Sequence, residues 1–370
     1  MIQRFLFLLT IFVLAGLSVC AQDDPAEAIL NVLAERPHDV SLVVYSLDDP
    51  EGGLYHNADV KRPLASTIKI LVLAEYARRV EASALDPEEL IPMDSVEAYF
   101  FYGTDGGAHA AAVTALREAG RLENDELTLS EITEAMIRFS DNGAADYLIV
   151  RFGREAMDAL PERLGLHYAD PPIPISGVFL NWDQPHIEGE DPSIYPGQPD
   201  DRAWMFARRL RASENFSDDM GDWMEGMTAR MSYDAQSAAA LSFPAGSARE
   251  YAGWMARVYR GELISEQVST TMLGFLDWPM DNPGVQQGFD QLATKGGSLA
   301  GILTSAYVAD ARAQNATGLD SSPTALALFM EGLPAGVFGP WSSTAAHQPL
   351  EMRLLVDPDF RDLAQESLGK

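Results

Sequence analysis

Cysteine is all but missing from this chain: Cys20 is the only one among 370 residues. From Ala21 onward there is therefore no disulfide framework, no cysteine nucleophile and no Cys-ligated zinc. Histidine is scarce too, with six residues scattered along the sequence and no HExxH or close pair. That argues against a metal site, and nothing else in the sequence implies a cofactor. Positive charge is in short supply: 26 Lys and Arg stand against 55 Asp and Glu, for a net charge of −29. Such a chain repels phosphate, which argues against nucleic acid and anionic lipid as partners. No apolar run past the first residues is long enough to suggest a membrane span. What is there is a globular composition, 47% hydrophobic and 22% charged, sufficient for one large domain or two small ones.

The opening residues MIQRFLFLLTIFVLAGLSVCAQ have the form of an export signal. Arg4 supplies the positive start, Phe5–Leu17 the apolar stretch, and Val19-Cys20-Ala21 small residues before a cut at Gln22. The expectation is a signal peptide over 1–21 and a periplasmic or secreted protein over 22–370. The rival is a lipoprotein acylated at Cys20, for which Val19 is a poor fit.

Along the mature chain, Pro25–Glu35 has helical spacing and Val40–Leu47 reads as a β-branched strand, followed by a turn at Asp48–Gly53. Helices are expected over Thr67–Val80 and Leu129–Phe139. Ser247-Ala-Arg-Glu250 is a capping-box pattern opening a helix over Ala248–Tyr259. Ser305–Asp310 and Thr324–Met330 read as strands, and Leu350–Leu363 as a closing helix. Strands at both ends and helices in the middle predict an α/β (α+β) fold: an antiparallel sheet of about five strands with terminal helices, and a helical lobe inserted.

Three short motifs carry candidate chemistry. Ser66-Thr-Ile-Lys69 is an S-x-x-K at a helix start, where i and i+3 share a face and a neutral lysine can take the serine proton. Alone it says little, since Ser367-Leu-Gly-Lys370 repeats it at the C-terminus. Ser140-Asp141-Asn142 can turn a hydroxyl and an amide to the same side, or can be an ordinary Asx turn into Gly143. Lys295-Gly296-Gly297-Ser298 lets a substrate backbone approach a strand closely, or is a turn with a solvated lysine.

In this order the motifs match S-x-x-K, S-D-N and K-T-G, and the chain resembles the class A β-lactamases and penicillin-binding proteins over roughly residues 25–368. Tyr55-His-Asn-Ala-Asp-Val-Lys-Arg-Pro-Leu-Ala-Ser66 is similar to the family's approach to its serine. The resemblance implies catalytic roles for four residues. Ser66 is the acylated nucleophile, Lys69 its proton acceptor, Ser140 the proton relay to the leaving nitrogen, and Lys295 the cation that holds the Ser140 hydroxyl and a substrate carboxylate. It also implies a substrate-binding set of Asn142, Gly297, Ser298 and Asn181, with the Ser66 and Ser298 N–H groups as oxyanion hole.

The sequence departs from the family twice. Gly296 stands where the family has a hydroxyl residue. In PPIPISGVFLNW (171–182), matching Leu180-Asn181 to the family's Glu-x-x-Leu-Asn puts Gly177 where the water-activating glutamate belongs. Acylation then survives while deacylation is slow, and a glutamate restored at 177 is expected to speed it. The resulting reading is a serine hydrolase with a small-molecule substrate, nominally a β-lactam amide. A D,D-peptidase or esterase on the same scaffold is the alternative, and a binding protein that holds a cell-wall-like ligand without turnover is an alternative of another class. Two features stay outside the motifs. Tyr99–Tyr102 and the run Gly103–His109 form either a substrate-contacting rim or a packed loop. Asp183–Pro244 reads as an insertion (183–244), in which Met220, Met224, Met227 and Met231 suggest the packed face of one helix.

Overall fold

A computed structural model describes residues 24–101, 103–122, 124–182, 199–212, 226–227, 230–312 and 322–369. The proposed signal segment, Cys20, Met220 and Met224 lie outside these. Among the described residues the strands, in chain order, are β1 (Val40–Ser46), β2 (Asp49–His56), β3 (Lys61–Pro63), β4 (Leu90–Pro92), β5 (Glu126–Thr128), β6 (Ala245–Ser247), β7 (Phe289–Leu299), β8 (Ile302–Ala311) and β9 (Thr324–Met330). The chain divides into two compact units. One is Ile68–Pro244, and the other joins the residues up to Thr67 with those from Ala245 on.

The second unit is built on a five-stranded sheet in the order β2-β1-β9-β8-β7. Every neighbouring pair is antiparallel. β1 and β9 occupy its middle and are buried almost throughout, which suits their Val, Leu, Ala and Phe content. Because side chains alternate, Leu42, Val44, Leu326 and Leu328 turn to one face. There they pack with the Pro25–Ala34, Gln348–Val356 and Pro358–Leu368 helices in one apolar core. On the other face lies the Ala248–Tyr259 helix, whose Tyr251 ring meets Phe329 edge-on at 5.5 Å. Ser247 accepts from Glu250 N at its start, as the sequence pattern predicts.

Two boundaries differ from expectation. β2 already begins at Asp49, so the reversal after β1 is tighter than the predicted turn. The closing helix is two helices. Pro358 has no N–H to continue the first, and Asp357 caps the second by accepting from Phe360 N at 3.1 Å. Lys295 lies within β7, paired with Ala306 of β8, as the strand reading rather than the turn reading has it.

The first unit is helical apart from the β4–β5 ladder. At its centre the Lys69–Glu81 helix buries nine consecutive residues, from Lys69 to Ala77. Its Glu75 is fully buried and satisfied by Arg78, Arg79 and Arg163. The predicted Leu129–Phe139 helix is α-helical only to Glu134. It begins with a complete capping box, Thr128 with Glu131, and then widens into a π turn, Ala135–Phe139. That turn delivers the chain to Ser140.

Candidate active site

The Ile68–Pro244 unit brings three of the motif residues together. Lys69 is the first residue of its helix and has no exposed surface. Its Nζ donates to Ser140 O at 2.5 Å, to Asn142 Oδ1 at 2.7 Å and to Ser140 Oγ at 3.2 Å. All three acceptors are neutral. Burial pushes the Lys69 amine down to about 8, and the nearby charges of Asp141, Asp105 and Asp146 oppose that shift without cancelling it.

Ser140 sits in the left-handed region, φ 68 and ψ 29. A residue with a Cβ there costs about 1 kcal/mol and needs neighbours to hold it. Several do. Asp141 N donates to Ala135 O at 3.2 Å, closing the turn. Asp141 Oδ1 caps the Asn142–Phe152 helix by accepting from Ala144 N at 3.1 Å. The other Asp141 oxygen, Oδ2, lies 2.9 Å from His109 Nδ1. From the far side, Asn142 Nδ2 donates to Thr104 O at 3.2 Å. Gly143 fits closely beneath the loop, since a Cβ there would stand 3.2 Å from the Phe100 Cβ.

The stretch PPIPISGVFLNW ends in a helix, Ile175–Trp182, that is tied down by a carboxylate from elsewhere. Asp146 is fully buried and accepts from Ile175 N at 2.6 Å, Ser176 N at 2.9 Å and the Ser176 hydroxyl. Burial pushes the Asp146 carboxyl up to about 6 despite these donors. Gly177 faces the Pro199–Ala212 helix. A Cβ at Gly177 would stand 2.2 Å from Ala203 O and 2.5 Å from Ala203 Cα. No side chain fits there unless one helix moves, so the expected gain from a glutamate at 177 has no steric room. Asn181 Oδ1 accepts from Arg202 Nε at 3.1 Å.

In the other unit, Ser66 lies on the 3-10 turn Ala65–Ile68, which runs directly into the Lys69 helix. Thr304 of β8 fixes that turn: its hydroxyl donates to Leu64 O at 2.7 Å and lies 2.8 Å from Thr67 Oγ1. β7 passes so close that a Cβ on Gly297 would stand 2.4 Å from Ser66 N and 2.9 Å from Thr67 N. Gly297 is therefore a place where only glycine fits, next to the nucleophile candidate's own N–H. Gly296 differs: a Cβ there would meet nothing nearer than Thr304 O at 3.5 Å. Lys295 is buried on β7, and its Nζ donates to Gly296 O at 2.7 Å. Ser298 pairs with Leu303 of β8.

The sequence model of the Beta-lactamase enzyme family matches residues 24–317. The chain belongs to that family. Its sheet and helices are those of the β-lactamase fold. "Beta-lactamase 1" of Streptomyces cacaoi is 26% identical over 226 residues, 57% of this chain and 64% of that protein. "Beta-lactamase SME-1" of Serratia marcescens is 25% identical over 134 residues, 35% of this chain and 41% of its own length. The matches thus span less than two thirds of these relatives. Among solved structures, a β-lactamase from Chitinophaga pinensis superposes with a TM-score of 0.53 at 13% identity, covering 92% of this chain and 99% of its own. PBP-A gives 0.52 at 15% identity, covering 89% and 96%. At such identities these two establish the fold alone.

The motifs single out Ser66, Lys69, Ser140, Asn142 and Lys295, but three further groups, two of them buried, did not stand out in the sequence. Asp146 had a signal: it is the lone acid within the apolar run of the Asn142–Phe152 helix. Asp105, which accepts from Gly107 N at 2.9 Å and His109 N at 2.7 Å, and His109 itself were read only as part of a glycine-rich rim.

Proposed function

We propose that the chain is an exported serine hydrolase that acts through an acyl-enzyme on Ser66, forming it readily with β-lactam amides and releasing it slowly. The observation that carries the reading is Lys69: a buried amine that donates to the neutral oxygens of Ser140 and Asn142, with its pKa lowered to about 8, three residues from Ser66 along one helical path. An amine in that state gives up its proton near neutral pH and can accept one from a serine.

In the proposed acylation the Ser66 Oγ attacks the amide carbonyl as its proton passes to Lys69. The C–N bond then breaks, and Ser140, hydrogen-bonded to Lys69, passes a proton to the leaving nitrogen. Asn142 holds Lys69 and receives the substrate amide. The N–H groups of Ser66 and Ser298 receive the carbonyl oxygen, and the absence of a side chain at Gly297 keeps that approach open. Lys295 attracts the substrate carboxylate, as the family pattern assigns.

Deacylation requires water to add to the acyl carbonyl and a base to take its proton. Gly177 provides no base, and Ala203 stands where a side chain would project. This supports slow release and favours the second reading, a D,D-peptidase or esterase whose natural acyl group leaves by another route. Residues 1–21 would direct export, and 22–370 would form the mature hydrolase. The test is intact mass of the mature protein with a penicillin over time, with Ser66→Ala as control. An adduct on the wild type alone supports the reading; absence of any adduct defeats it.

A further inference from the structure

The stretch Gly103–His109 has no part in the acyl transfer just described, yet it touches the Ser140-Asp141-Asn142 loop from two sides. Thr104 O receives Asn142 Nδ2. Three residues before the start of the Ala108–Glu118 helix, Asp105 gathers the Gly107 and His109 N–H groups, which fixes where His109 can stand. The His109 ring is buried and stacks on Phe100, with centroids 4.2 Å apart and planes within 19°. Its Nδ1 faces Asp141 Oδ2 at 2.9 Å. A carboxylate can only accept, so Nδ1 carries the hydrogen. Burial disfavours a charged imidazole here, but the Asp141 hydrogen bond and the charges of Asp141, Asp105 and Glu97 prevail, and His109 titrates above the ordinary histidine value.

Asp141 is thus held at both oxygens, one by Ala144 N and one by His109. It is also the residue directly after the left-handed Ser140, and its N–H closes the turn onto Ala135 O. A left-handed serine persists only where the surrounding structure holds it, and the pinned Asp141 is part of that hold. We propose that His109 is a positioning residue for Ser140: through Asp141 it holds the turn that presents the Ser140 hydroxyl and carbonyl to Lys69. The proposal rests on the acyl-enzyme reading only for its kinetic consequence, because the hydrogen-bonded turn exists without substrate.

Two substitutions separate positioning from packing. His109→Phe keeps the ring on Phe100 and removes the donor. His109→Asn keeps a donor at the Nδ1 position and removes the ring. With a fluorescent penicillin under stopped flow, His109→Phe should acylate about tenfold more slowly or worse at unchanged pre-acylation affinity. His109→Asn should stay within about threefold of wild type. The opposite order, with Phe near wild type and Asn impaired, would mean that the ring only fills space and would overturn the proposal. Amide exchange at Asp141 gives the same comparison without a β-lactam: faster in the Phe variant, unchanged in the Asn variant. In the unsubstituted protein, a side-chain Nδ1–H resonance of His109 protected from exchange is required; its absence overturns the proposal whatever the variants do. If wild type takes no penicillin, the acyl-enzyme reading fails alone and the exchange arm still decides.

Discussion

Burial of the Lys69 amine among neutral oxygens lowers its pKa to about 8. The protonated form is then dominant below that value and the basic form above it. The acylation rate is expected to rise with pH through about 8 and level off beyond, which a pH series of stopped-flow acylation checks. A profile that is flat across that range would mean that Lys69 is not the base. Two glycines on the same account behave oppositely. Gly296 has ordinary space around its missing Cβ, so Gly296→Thr should fold normally and tighten pre-acylation binding of penicillins by supplying the hydroxyl the family carries. Gly177 has none, so even Gly177→Ala should lose about 1–3 kcal/mol in denaturant unfolding, and Gly177→Glu at least as much without a gain in turnover. That Gly177 lacks an acid was legible in the sequence. That it must be glycine was not, because the obstacle is the backbone of Ala203 on a separate helix.

At the scale of elements, Asp146 fastens the amino end of the Ile175–Trp182 helix. Its carboxyl has been raised by burial from 3.8 to about 6. Below the lower value both folded and unfolded chains hold the proton. Between the two values the folded chain keeps a proton that the unfolded chain has released, so stability falls as pH rises through this window and is level above it. The Asp146 contribution to that fall is on the order of 3 kcal/mol, and Asp146→Asn should remove it from a pH series of urea unfolding curves. Elements with strong local chemistry were legible: the β-branched run of β1, the Ala248–Tyr259 helix behind its Ser247 cap, and β9, whose bounds the apolar run Thr324–Met330 matched. The π turn at Ala135–Phe139 was not. Its residues suit an ordinary helix, and the widening shows only in the backbone hydrogen bonds that lead to a left-handed Ser140. The motifs named Ser140 and Asn142, while the His109 and Thr104 contacts that hold them come from a stretch whose local sequence says only turn.

For the molecule as a whole, a net charge of −29 on 370 residues means that self-repulsion opposes compaction. Salt at a few tenths molar shortens the screening length to roughly 5 Å, so the melting temperature should rise by a few degrees between low salt and about 0.5 M sodium chloride. A falling melting temperature would show that specific ion pairs, not general repulsion, dominate. The family and its sheet were legible because three short motifs and the terminal strands survive in order. The obstacle to a side chain at Gly177 was not, because it is the backbone of Ala203 on another helix. The intact mass of the mature protein after a single addition of penicillin measures the fate of the acyl group directly. An adduct on Ser66 is expected to form within seconds to minutes, to persist for hours, and to be absent from Ser66→Ala. An adduct that disappears as fast as it forms would contradict the slow release assigned to the closed Gly177 position, and no adduct would contradict the acyl-enzyme itself.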